Sequence, residues 1–314
     1  NKLIDSDLRV SFSDFTDRTV SVIAGNSALY DSRADAFRAA FGVALADAHW
    51  VDKTTLLWPG GENKPIVRLY YSHSSKVAAD SNGEFTDKYV KLTPTTVSQQ
   101  VSMRFPHLAS YPAFKLPDDV NVDELLQGET VAISAESDGI LSSATQVQTA
   151  GVLDDTYAAA AEALSYGAQL TDSGVTFRVW APTAQQVELV IYSADKKVIA
   201  SHPMTRDSAS GAWSWQGGSD LKGAFYRYAM TVYHPQSRKV EQYEVTDPYA
   251  HSLSTNSEYS QVVDLNDSAL KPEGWDWLTM PHAQKTKADL AKMTIHESHI
   301  RDLSAWDQTV PAEL

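Results

Sequence analysis

Four short runs in this sequence hold residue types that do chemistry. His296-Glu297-Ser298-His299 offers two imidazoles and a carboxylate. A zinc-protease helix needs its histidines four apart, on one face; here they stand three apart. TIHESHI also alternates polar and apolar residues like a half-buried strand, which would send His296 and His299 to opposite faces. No metal site is expected there. Asp119, Asn121 and Asp123 copy the first half of a calcium-binding EF-hand loop, but Glu124 stands where that loop needs glycine and Thr130 where it needs a bidentate glutamate. The run reads instead as an acidic helix start capped by Asn121 or Asp123. Glycoside hydrolysis needs two carboxylates flanking a bond, and 40 Asp and Glu residues nominate no particular pair. No catalytic residue is assigned. The fourth run is aromatic. Trp213 and Trp215 stand two apart, so on a strand they share a face, whereas Trp180 points away from Phe177 and Val179. Paired indoles stack on successive sugar rings, or they line a sandwich core or a seam between domains. Both uses fit this spacing. Trp50, Trp58, Trp275 and Trp277 sit at element ends or in a linker, where seam packing is the usual use.

Composition narrows the partners. The formal charge of −14 repels nucleic acid and anionic lipid surfaces. With no cysteine among 314 residues, disulfides, thiolate metal sites and cysteine nucleophiles are excluded together. No window approaches 18 apolar residues, so no transmembrane helix is expected. The start, NKLIDSDLRV, has neither an initiator Met nor a signal pattern, and the reading is that the native N-terminus was removed. No phosphate-binding loop, dinucleotide fingerprint or nucleophile elbow occurs.

The elements that must carry these residues are mostly strands. Val10/Phe12 and Val20/Val22 flank a Thr-Asp-Arg turn, a strand-turn-strand pattern. RADAFRAAFGVALADAHW follows with apolar residues at helical spacing behind Ser32 and Asp35, predicting an amphipathic helix from near Arg33. TTLLW, IVRLYYS, YVKLT and TVAIS read as strands of a small sandwich with one helical turn at VDELLQG. DDTYAAAAEALSYGA, 154–168, predicts a helical connector. GVTFRVWAP, QVELVIYSA, GAWSWQG, FYRYAMTVY and KVEQYEV then read as a second sandwich, followed by a polar linker.

Four of these runs carry family resemblances. GAQLTDSGVTFRVWAPTAQQVELVIY, GAWSW, KGAFYRYAMTVY and VTDPYAHSLSTNSEYSQVVDL resemble the family 48 carbohydrate-binding module that precedes the barrel of starch-debranching and branching enzymes. KMTIHESHIRDLS is similar to the first strand of the family 13 glycoside hydrolase barrel, with Glu297, His299, Arg301 and Asp302 matching and Ile295-His296 replacing the usual aromatic lead. AHWVDKTTLLWP resembles the second N-terminal domain of bacterial pullulanases, and RTVSVIAGNSALYDS the closing strands of their family 41 starch-binding module. The resemblance implies a mainly β chain of immunoglobulin-like sandwiches in tandem with short helices, ending at the start of a (β/α)8 barrel. Its implied divisions are 1–35, a family 41-like tail; 36–160, the pullulanase β domain; 161–266, the family 48-like sandwich; 267–292, a linker; and 293–314, the incomplete first strand region. It further implies a non-catalytic segment of a starch-debranching glycosidase acting on α-1,6 branch links in pullulan, starch and glycogen. The expected tasks of the segment are to support the remainder of the barrel and to bind α-glucans, including maltooligosaccharides, through Trp213, Trp215 and Trp180. No cofactor is implied within the chain, calcium is common in the family, and secretion or anchoring at the bacterial outer membrane is expected. The alternatives are a stand-alone α-glucan-binding or scaffold protein, and the N-terminal part of a branching enzyme or isoamylase.

Overall fold

The computed structural model describes residues 21–23, 26–30, 46–74, 77, 85, 87–139, 141–274, 294–299, 301–302, 305–307 and 309. Contacts divide the chain into two units, Asn1–Asp264 and Leu265–Leu314. The strand read at Val10/Phe12, the helix start near Arg33, and Trp275 and Trp277 lie outside the described residues.

In the first unit, β1 (Ser21–Ile23) and β2 (Asn26–Tyr30) form an antiparallel hairpin. An eight-stranded sheet follows. Its strands are β3 (Ala48–Asp52), β4 (Thr55–Leu57), β5 (Ile66–Ser72), β6 (Lys88–Lys91), β7 (Thr93–Thr95), β8 (Ala113–Lys115), β9 (Glu129–Ala135) and β10 (Leu141–Gln148), in the spatial order β6-β5-β9-β10-β3-β4-β8-β7. Only β10 and β3 pair in parallel, Val147 opposite Ala48. Trp50, Leu56 and Phe114 from one half of the sheet share a core with Val67, Leu69 and Ala132 from the other, so the halves face each other as a sandwich. Ala48 and Trp50, read from sequence as the end of a helix, belong instead to β3. Pairing with β4 and β10 outweighs the helical preference of alanine, a preference worth only tenths of a kcal/mol.

Among the described residues three short helices accompany this sandwich: α1 (Gln99–Arg104), α2 (Val122–Leu126) and α3 (Ala150–Ala161). The carboxamide oxygen of Asn121 caps α2 by accepting from Glu124 N–H at 3.2 Å. This is the capped helical turn expected of VDELLQG, and it accounts for the EF-hand likeness. The α3 helix begins four residues before the expected connector and is no mere spacer, because Val152 and Tyr157 are part of the core. Gly151 lets it approach β3, since a Cβ there would lie 2.7 Å from Val51 Cα and 2.8 Å from Val51 O. Gly151→Ala is therefore expected to destabilise by about 1–2 kcal/mol in urea unfolding. Helix propensity favours alanine by about 1 kcal/mol, but a backbone cannot yield as a side chain does, and overpacking costs about 1–3 kcal/mol.

The second sandwich sets β11 (Gly167–Thr171), β12 (Gly174–Trp180), β16 (Ala212–Gly217) and β15 (Thr205–Arg206) against β14 (Val198–Pro203), β13 (Ala184–Tyr192), β17 (Phe225–His234) and β18 (Lys239–Val245), with β19 (Ser260–Gln261) added beside β17. Phe177, Leu189, Trp213, Tyr226 and Tyr228 fill the space between the sheets. The mainly β fold of sandwich modules expected from the sequence is what the chain adopts.

The two sandwiches meet through polar contacts. Arg206 grips the Asp123 carboxylate with both terminal nitrogens, at 2.7 and 2.5 Å, and donates to Pro182 O at 3.0 Å. Burial and Asp123 push the Tyr157 phenol well above its usual range, so it stays protonated and donates to the same carboxylate. The Gln185 amide donates to His73 O and Gln127 O, each at 2.8 Å. Arg238 pairs with the fully buried Glu129.

In the second unit, TIHESHI reads as a first barrel strand that stays unformed without strands on either side to pair with. Residues 294–299 carry no strand assignment and are exposed, Ile295 to 84%. A strand needs hydrogen-bonded neighbours to be stable in water, and among the described residues none pairs with this one. His299 instead lies 3.8 Å from Asp302.

Candidate functional site

The structure shows which way Trp213, Trp215 and Trp180 face. Trp213 and Trp215 do share a face of β16, and it is the inner one. Trp213 is 7% exposed, with its indole N–H donated to Ala181 O at 3.0 Å. Trp215 is half-buried, packs against the same core, and has its ring covered by His202 at 4.2 Å and 16° between planes. A pair whose faces are already packed is not an open platform for sugar. Alternation fixes which residues share a face, but only packing decides which face is wet. Trp180 does point the other way, into the seam. It packs against the core of the first sandwich and donates to Ser210 O at 2.8 Å.

Other aromatics line the outer face of the five-stranded sheet, where Phe225 and Tyr259 are half-buried and Tyr192 is buried. Register aligns three cross-strand rows there: Gln186, Thr231 and Gln242; Glu188, Ala229 and Glu244; and Tyr192 with Phe225. The small side chain of Ala229 leaves a hollow of about 360 Å³ walled by the polar residues around it. Glu188 accepts from Gln186 at 3.0 Å and Ser201 at 2.8 Å, and Glu244 accepts from the Tyr192 hydroxyl and lies 3.3 Å from Arg227. At one end, Phe225 and Tyr192 meet Tyr259 edge-on, with centroids 6.4 and 4.9 Å apart. Lys196, held at φ 62° in the turn after β13, places its ammonium 2.7 Å from the Phe225 centroid. Arg227 lies 5.6 Å over Tyr259.

Such a surface suits a neutral polyol: amides, a threonine hydroxyl and carboxylates meet hydroxyl groups, while the half-buried rings of Phe225 and Tyr259 meet the apolar face of a sugar. It does not suit acid–base chemistry, because both carboxylates are already engaged by donors. The carboxyl that burial does raise, Asp247, is 4% exposed beneath tyrosines, beyond reach of a substrate. Among the described residues no three His, Asp or Glu side chains gather as metal ligands. Sequence alone does not disclose this face, because its members come from five separate segments. The visible signal was the recurrence of Gln and Glu at alternate positions in QVELV and EQYEV.

Comparison with known proteins places both sandwiches. Residues 45–155 match the Pullulanase N2 domain, and residues 165–250 match Carbohydrate-binding module 48 (Isoamylase N-terminal domain). A pullulanase of Klebsiella pneumoniae is 90% identical over all 314 residues, which make up 29% of that protein. Chloroplastic pullulanase 1 of Arabidopsis thaliana is 32% identical over 275 residues, covering 85% of this chain and 27% of its own. The crystal structure of Klebsiella pneumoniae pullulanase complexed with maltotriose is 98% identical, with a TM-score of 0.81 over the whole chain and 30% of its own length. The chain thus spans under a third of the relatives it matches.

Proposed function

This chain belongs to the pullulanase family, as an N-terminal region of such an enzyme, and from that premise we propose that the whole protein hydrolyses α-1,6 branch links in pullulan, starch and glycogen. The supporting observation is the succession of an N2 domain and a family 48 module within a chain 90% identical throughout to a pullulanase. In this reading the catalytic carboxylates belong to the barrel, and the present region supports that barrel and holds α-glucan. A branching enzyme shares the family 48 module but is not what the N2 domain marks. Any calcium of the whole protein is proposed to bind outside the residues described above. Secretion or anchoring at the outer membrane belongs to the same proposal and rests on resemblance to Gram-negative enzymes.

The glucan-holding surface is proposed to be the outer sheet face rather than the tryptophan pair. Maltotriose titration separates the two. Tyr259→Ala is expected to weaken binding about tenfold, since a stacked ring contributes about 1 kcal/mol beyond its area and 1.4 kcal/mol is a factor of ten. Trp215→Ala is expected to lower stability and leave affinity within about twofold. The reverse pattern would return the site to the tryptophans. Reducing-sugar release from pullulan by the whole protein tests the activity, and its absence would overturn the reading.

A further inference from the structure

We propose a second saccharide site in the first sandwich, a groove that takes two or three linked glucose units. The inference rests on the α-glucan reading above and extends it to the other module. The groove has a volume of about 610 Å³ and lies between the loop after β4, the edge strand β7, and the segment leading from α1 into β8. Its walls are pre-formed. Trp58 N–H donates to Pro112 O at 2.9 Å, Ser134 Oγ to Gly60 O at 2.7 Å, and Tyr111 N–H to Leu108 O at 2.9 Å. Sites of this size that keep their shape without ligand are where small molecules bind.

The lining selects the chemistry. Tyr111 and Pro112, both half-buried, give an apolar floor, and Asn63, Thr95, Thr96 and Ser110 form an exposed rim. None of these four rim side chains is engaged in a hydrogen bond within the described chain, so each keeps its full capacity for a hydroxyl. An anion is disfavoured. Lys64, the one cation lining the groove, is 2.6 Å from Glu136, and the chain carries a net charge of −14. Glu62, alone at the rim, is too little for a metal ion and adds one more acceptor. A neutral ring with an apolar face and a belt of hydroxyls is the ligand that uses both floor and rim. Asn63 sits at φ 57°, a conformation asparagine tolerates better than most residues, which fixes the rim beside the floor.

The test is calorimetric titration of the full chain with maltotriose, in the wild type and in Lys196→Gly/Tyr259→Ala, which disables the sheet face. The sheet-face variant is expected to keep residual binding, and adding Asn63→Gly and Thr96→Val is expected to weaken that residue at least fivefold. Both added substitutions spare the fold, since glycine keeps the positive φ and valine keeps the shape of threonine. Tyr111→Ala provides a larger loss, read alongside near-ultraviolet circular dichroism to verify folding. If the wild type binds and the sheet-face variant does not, the groove proposal falls and the α-glucan reading stands. Residual binding untouched by the groove substitutions overturns it equally. If the wild type binds no maltotriose, the underlying reading falls too.

Discussion

Arg238→Ala is expected to lower the unfolding free energy of the joined sandwiches by about 3–5 kcal/mol, the usual cost of removing one partner from a buried ion pair. Glu129 is fully buried and Arg238 is 8% exposed, so the deletion strands a carboxylate where water does not reach. It also frees Val77 O, which accepts from Arg238 Nη2 at 3.0 Å, while Val77 N–H still donates to Glu129 at 2.5 Å. Arg238 holds φ 53° at the end of the turn joining β17 to β18, where its N–H donates to His234 O at 2.8 Å. That conformation costs about 1–2 kcal/mol for an ordinary residue, and the buried pair offsets it. Arg238→Gly removes the backbone cost and should therefore be milder than Arg238→Ala by about 1 kcal/mol. Glu129→Gln combined with Arg238→Met should recover part of the loss, because removing both charges removes the uncompensated one. Urea unfolding followed by tryptophan fluorescence reads all of these. A loss under about 1 kcal/mol for Arg238→Ala would place the pair at a solvated surface, where ion pairs contribute that little.

That pair also marks the limit of what the sequence disclosed. Strands with clean alternation, such as GVTFRVW and QVELVIY, were legible because burying one face imposes a period of two on the residues themselves. The helix turn at VDELL was legible for a similar reason, its cap lying within three residues of the helix it serves. Partners 109 residues apart, such as Arg238 and Glu129, leave no local trace. The strand Ala48–Asp52 was hidden for a second reason: its alanines and its partners on two sides pull in opposite directions, and the partners win. The tryptophans show a third. Parity put Trp213 with Trp215 and turned Trp180 away from Phe177 and Val179, correctly, yet parity is silent on which side is the core. The outer sheet face required the register of three strands before Gln186, Thr231 and Gln242 became one row.

Asp247→Ala should be among the most damaging single changes within the second sandwich. Its Oδ2 accepts from the hydroxyls of Tyr226 and Tyr228 at 2.8 and 3.1 Å, and its Oδ1 from Tyr249 N–H at 2.8 Å. Both hydroxyls belong to side chains no more than 1% exposed, so removing the carboxylate strands two buried donors at about 1–3 kcal/mol each. It also loosens the segment after β18, which Asp247 ties down together with Ser260 through the Asp247 N–H at 2.8 Å. A total of about 3–5 kcal/mol is expected. The pH dependence identifies the cause. Burial raises the Asp247 carboxyl above its ordinary value, against the opposing pull of Tyr249 N–H, the two phenols and His251. The folded state therefore holds this proton to a higher pH than the unfolded state does. Between the unfolded and folded values the native chain binds more protons, so this group's contribution to stability falls as pH rises, beginning near the unfolded carboxylate value of about 3.9. Most paired carboxylates do the opposite and lose stability on acidification. Asp247→Asn deletes the proton-linked term while keeping a carbonyl acceptor. Its loss of stability relative to wild type should accordingly be larger at pH 4 than at pH 7, by the amount that ionising the buried carboxyl costs the wild type. A difference that is larger at pH 7 would mean that the tyrosine hydroxyls hold Asp247 ionised against its burial.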